Sequence, residues 1–92
     1  MIKQDLDIVR IIGDLYEFGI DAGYDSTGGG VDYAHVKLGN KFHRYFLWID
    51  KDTIYKVNKN NSEDVRVVAK YKGVKELIFY VLQLKQLAKE II

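Results

Sequence analysis

Cysteine is missing from this 92-residue sequence, which excludes disulfide frameworks, thiolate zinc sites and cysteine nucleophiles. No apolar run approaches the roughly 20 residues of a membrane-spanning helix, so no membrane partner is expected. The opening segment, Met1 to Arg10, carries Asp5, Asp7 and Arg10 inside its apolar pattern and does not read as a signal peptide. A soluble, cytoplasmic protein is the expectation. No serine lies in a nucleophile elbow, and no carboxylate pair sits in an apolar setting that would raise a pKa. The chain is therefore not expected to be an enzyme, and neither a cofactor nor a metal is expected.

What is present is globular. Apolar residues make up 48% and charged residues 29% of the chain, which argues against disorder and for one domain over residues 1–92. The net charge is only +1, but it is uneven: residues 1–32 sum to −5 and residues 33–92 to +6. Such a split marks either a basic binding face or an acidic helix packed near a basic sheet.

Residues 2–18 have helical periodicity, with Lys3, Asp7, Arg10, Asp14, Glu17 and Asp21 forming one polar stripe. Leu6, Ile8, Val9, Ile11, Ile12, Leu15, Tyr16 and Phe18 form a broad apolar face opposite. Gly19 suits the position just past a helix end, with Ile20 as the apolar residue beyond it. From Ile20 the period changes to two, giving a short strand that ends at the Thr27-Gly28-Gly29-Gly30 turn. That turn lacks the Gly-Lys-Ser/Thr ending of a phosphate loop and leads into a strand. Val31–Leu38 and Phe42–Ile49 read as strands joined by a two-residue Gly39-Asn40 loop. Asp50-Lys51-Asp52 reads as a three-residue turn before a strand over Thr53–Asn58. Lys59–Asp64 reads as a polar loop without proline, Val65–Tyr71 as the last strand and residues 74–91 as a second helix. The order α-β-β-β-β-β-α predicts an α+β fold, an antiparallel meander of four to five strands with both helices on one face. Ala34, Val36, Tyr45, Leu47, Ile49, Val57, Val65, Val67 and Ala69 are expected to face the helices.

The helix, the Gly19-Ile20-Asp21-Ala22 strand, the Thr27-Gly28-Gly29-Gly30 turn and the Val31-x-x-Ala34-x-Val36-x-Leu38 strand together resemble a recurring group of small bacterial and phage proteins without an assigned activity. The resemblance covers residues 15–49 and implies a small intracellular or phage-encoded domain. It transfers no functional residues. In format the chain is also similar to phage proteins that block host enzymes by binding them.

Two histidines invite a metal, but a two-residue loop at Gly39-Asn40 sends His35 outward with Trp48 and His43 inward with Tyr45. With a three-residue loop at Thr27-Gly28-Gly29, His35 sits between Asp21 and Arg44 in a cross-strand row, read as a salt-bridge ladder before a proton-transfer group. Asp50-x-Asp52 has calcium-like spacing, but Tyr55 stands where that loop needs glycine and Asn61 where it needs glutamate. The informative feature is the outer sheet face. Tyr33, His35, Lys37, Arg44, Phe46, Trp48, Lys56, Arg66 and Lys70 are the candidate binding residues there, with Ile54 and Val68 among them. Aromatics interleaved with cations suit an acidic protein partner, with Arg44 and Trp48 as anchors. They also suit nucleic acid, the alternative, although Arg44-Tyr45-Phe46-Leu47-Trp48 lacks the glycines of the RNA-recognition signature. The expected role is a non-catalytic protein-binding module, of the inhibitor or adaptor kind. Phe79, Tyr80, Leu82 and Leu87 exceed what one helix face needs, which raises a homodimer through the last helix.

Overall fold

Asp5 starts the first helix: its carboxylate accepts from the Asp7 N–H at 2.9 Å, satisfying one of the free amides of the first turn. The computed structural model describes residues 4–27, 29–38 and 44–90, and in it helix α1 spans Leu6–Glu17. It ends on Phe18, with the Gly19 N–H donating to the Tyr16 carbonyl and the Ile20 N–H to the Leu15 carbonyl. That pair of bonds is a Schellman closure, and it requires the positive φ of 76° at Gly19. Ile20 then turns inward and is buried beside Leu15.

Five strands follow: β1 Gly23–Ser26, β2 Asp32–Lys37, β3 Tyr45–Ile49, β4 Thr53–Asn58 and β5 Asn61–Lys70. They form one antiparallel sheet in the order β1-β2-β3-β4-β5, and helix α2, Val74–Glu90, closes the chain. The expected α+β architecture and element order are those observed. Glu76 reaches back from the first turn of α2 to accept from the Lys72 N–H at 2.9 Å. No helix among the described residues is long and apolar enough to cross a membrane.

The core lies between the helices and one sheet face. Ile8, Ile11 and Leu15 of α1 meet Ala34, Val36, Leu47, Ile49 and Ile54 of the sheet, with Leu77, Ile78, Val81 and Ala88 of α2. Burial of this set follows the 3.6-residue period of the helices and the two-residue alternation of β2 and β3. The apolar face of α1 is narrower than its sequence pattern implies, because Leu6, Val9, Tyr16 and Phe18 are exposed. Leu82, Leu87 and Phe79 of α2 are exposed too, the last at 61%.

Three registers differ from expectation. Val36 stands opposite Leu47 rather than His43, a slip of four residues. An even slip keeps every side chain on its expected face, so Ala34, Val36, Leu47 and Ile49 still point at the helices. His43 and the Gly39-Asn40 loop lie outside the described residues. At the next connection Ile49 stands opposite Ile54, so four residues join the pairs where three were expected. The odd difference inverts β4: Ile54 and Lys56 turn to the helix side, Tyr55 and Val57 to the outer side. Lastly, the segment expected as a loop pairs as strand. β4 and β5 meet across Lys59-Asn60, with Asn58 opposite Asn61, and β5 carries a bulge at Val68 between the Ile54–Ala69 and Tyr55–Val67 pairs. The bulge lets Ala69 pack on the core while Val67 and Val65 face outward.

Candidate functional site

The inversion of β4 rebuilds the outer face. Directly opposed residues share a face, so His35 with Trp48, Trp48 with Tyr55, and Phe46 with Val57 place three adjacent strands' side chains together. Tyr33 joins them from β2, and Val65 and Val67 from β5. Lys56 and Arg66, expected on this face, are instead on the helix side: Lys56 is opposite Leu47, and its Nζ lies 4.6 Å from the centroid of the Tyr45 ring. Arg66 is opposite Lys56, and its Nε meets Asp64 at 3.2 Å. Ile54 is fully buried in the helix-side core, and Val68 occupies the bulge. Lys37, opposite Phe46, and Lys70, opposite Thr53, remain on the outer side. Arg44 precedes β3 in phase with Phe46 and Trp48 and is exposed.

Five rings interlock on this surface. Tyr33 and Trp48 stack with centroids 4.7 Å apart and planes within 2°, and His35 and Phe46 stack at 4.4 Å and 9°. Tyr55 meets Tyr33, and Phe46 meets Trp48, edge to face. Each such pair contributes about 0.5–1.5 kcal/mol beyond area burial. Beneath the rings Val57 is fully buried although it is not part of the helix-side core. The rings themselves are only half-buried, since both helices lie on the opposite side of the sheet.

One carboxylate organises the cluster. Trp48 reaches across β2 and donates its Nε1–H to Asp25 Oδ2 at 2.7 Å, and His35 Nδ1 lies 2.6 Å from the same oxygen. An ionised carboxylate only accepts, so this contact fixes the His35 proton on Nδ1. The row expected here was Asp21, His35 and Arg44. The strand pairings instead put Gly23 and Trp48 opposite His35, and the acid comes diagonally from Asp25. The turn before β2 is longer than the expected three-residue loop, with Thr27 N–H donating to Val31 O and Gly30 at a φ of 82°. Sequence alternation shows that Asp25, Tyr33 and His35 share a face, but the indole's reach over an intervening strand has no signal in it.

At one rim, Asp50 Oδ1 accepts from the Asp52 and Thr53 amides, and its Oδ2 lies 3.4 Å from the Tyr55 hydroxyl. Burial, then the Asp50 carboxylate, holds the Tyr55 phenol above its ordinary value. The Asp50-x-Asp52 pair thus serves its turn, and among the described residues no group of three His, Cys, Asp or Glu could hold a metal ion. At the other rim, a hollow of about 420 Å³ is lined by His35, Lys37, Leu38, Tyr45, Phe46 and Lys59. Its neighbour, about 550 Å³, shares His35 and Lys37 and adds Asp21, Asp25 and Lys85. Comparison with protein-family models, with curated proteins and with solved structures finds no match to this chain.

Proposed function

We propose that the protein is a non-catalytic binding module that engages another protein through the outer face of its sheet. The observation that carries this reading is a sheet face of five interlocked rings and three valines that neither α1 nor α2 covers. Contiguous apolar surface of this kind marks interaction sites on small domains. Tyr and Trp supply much of the energy at such interfaces at small entropic cost, because the rings are already fixed by one another.

Nucleic acid is the weaker fit for two reasons. Stacking on a base needs a free ring face, and Tyr33, Trp48, His35 and Phe46 each have one face covered by a neighbouring ring. Tracking a phosphate backbone needs a line of cations, and Lys56 and Arg66 point away from this face. An inhibitor or adaptor role, in the format of small phage-encoded proteins, is the reading that accords with a binding surface and no proposed chemistry.

The test is affinity capture from a cell lysate beside shift assays with single-stranded and duplex oligonucleotides. Arg44→Ala with Trp48→Ala is expected to abolish capture. Because Trp48 also packs the face, Val67→Glu is the companion variant: Val67 is 58% exposed and its change leaves the core alone. A partner held equally well by both variants, or retention of oligonucleotides in place of protein, overturns the reading. A homodimer through α2 is a separate proposal resting on the exposure of Phe79, Leu82 and Leu87. A strictly monomeric mass by light scattering at high concentration retires it.

A further inference from the structure

The hollow at the β2–β3 end of the sheet deepens this reading and rests on it. Among the described residues its walls are apolar or aromatic, from Leu38, Tyr45, Phe46 and His35, and its charged side chains are those of Lys37 and Lys59. No carboxylate lines it among the described residues, and neither lysine has an ion pair among them. The fold gathers these cations from separate segments: Lys37 from the end of β2 and Lys59 from the β4–β5 turn. The Lys59 N–H is tied to the Arg44 carbonyl at 2.7 Å, and Lys85 of α2 donates to the Lys37 carbonyl at 3.3 Å. Two acids near the outer face are already engaged. Asp25 holds His35 and Trp48, and Asp50 holds its turn.

We infer that this hollow is the anion-recognising end of the interaction face, and that its occupant is an acidic segment of the partner protein, with a carboxylate between Lys37 and Lys59 and an adjoining apolar side chain against Phe46 and Leu38. Charge selects the occupant. Among the described residues the hollow presents two cations and no carboxylate, so it is not complementary to itself, and a second copy's hollow laid on it would oppose like charges. A lysine pair beside an apolar wall suits a carboxylate flanked by a large apolar residue. Among the described residues the hollow has one ring pair, His35 on Phe46, each with one face covered by the other, which is not a run along which successive bases would lie.

Trp48 is the sole tryptophan and belongs to the ring cluster that includes Phe46, so its emission reports on this face. The probes are a synthetic peptide alternating leucine with glutamate, its counterpart with lysine for glutamate, and a single-stranded oligothymidylate. The glutamate peptide is expected to bind, to weaken with added salt, and to lose about tenfold in affinity on Lys37→Glu with Lys59→Glu. The lysine peptide is expected to bind the double variant better than the native chain. Equal binding of the glutamate peptide to both chains overturns the assignment of the hollow. Binding of the oligothymidylate alone, or of no probe, overturns the acidic-segment inference as well. A captured partner that depends on Val67 but ignores Lys37 and Lys59 sinks this inference while leaving the outer face as the site; one that ignores Val67 and Trp48 sinks both.

Discussion

Replacing Asp25 by Asn tests whether one carboxylate holds the outer face together. The carboxylate oxygen serves two donors, His35 Nδ1 at 2.6 Å and Trp48 Nε1 at 2.7 Å. A hydrogen bond to a charged group contributes about 1.5–3 kcal/mol when well shielded. These are only partly shielded, since the Asp25 side chain is 36% exposed and that of His35 25%, which places both bonds at or below the lower end of that range. An asparagine carbonyl in the place of Oδ2 can still accept from both donors, so what is lost is the negative charge that strengthens the two bonds. The expected loss is therefore about 1–2 kcal/mol. Equilibrium urea unfolding followed by Trp48 emission measures it, and the indole N–H proton resonance of Trp48 gives an independent reading. A loss below about 0.5 kcal/mol with the indole resonance unmoved would show that Asp25 does not hold the two rings, because surface substitutions away from real partners fall in that range.

The inverted face of β4 predicts that Ile54→Ala costs about 2–5 kcal/mol, whereas Val67→Glu stays within about 0.5 kcal/mol; thermal unfolding of the two variants decides it. Tyr71 is buried, and its hydroxyl donates to the Asp50 carbonyl. Burial foremost, then the carboxylates of Asp50, Asp52 and Asp14, raises its phenol above the ordinary 10.0. Above pH 10 the unfolded chain has lost a proton that the folded chain keeps, so this contribution to stability is full below the unfolded value and is lost as pH rises through the window above it. Tyr71→Phe is expected to flatten the alkaline decline, leaving the part due to Tyr55 and to Tyr24, whose phenol is raised by desolvation and then by its hydrogen bond to Asp32, at a cost of about 1 kcal/mol at neutral pH. An alkaline unfolding profile parallel to that of the native chain would contradict it.

Local chemistry made much of this fold legible. The stop at Gly19, the inward turn of Ile20 and the alternation of Ala34, Val36, Leu47 and Ile49 each follow from a pattern within one or two elements. Loop lengths did not read as well. The β2–β3 slip was harmless because four is even, whereas one additional residue between Ile49 and Ile54 reversed a whole strand. Lys56 and Arg66 left the candidate face for that reason, and Tyr55, Val57 and Val67 joined it. The face is therefore more apolar and less basic than the sequence implied. The Val68 bulge is legible only from the pairing on both sides of it, and the Asp25 anchor depends on an indole crossing a neighbouring strand. Neither distance is encoded in spacing along the chain.

Whether a protein partner sits on the outer sheet face is decided by the affinity of the recovered, purified partner for the native and Val67→Glu chains, read by titration calorimetry. A carboxylate placed on that apolar surface is predicted to weaken binding by about tenfold or more, with the unfolding midpoint of the free chain unchanged. Undiminished affinity in Val67→Glu, together with undiminished affinity in the folded Arg44→Ala, Trp48→Ala chain, would contradict it.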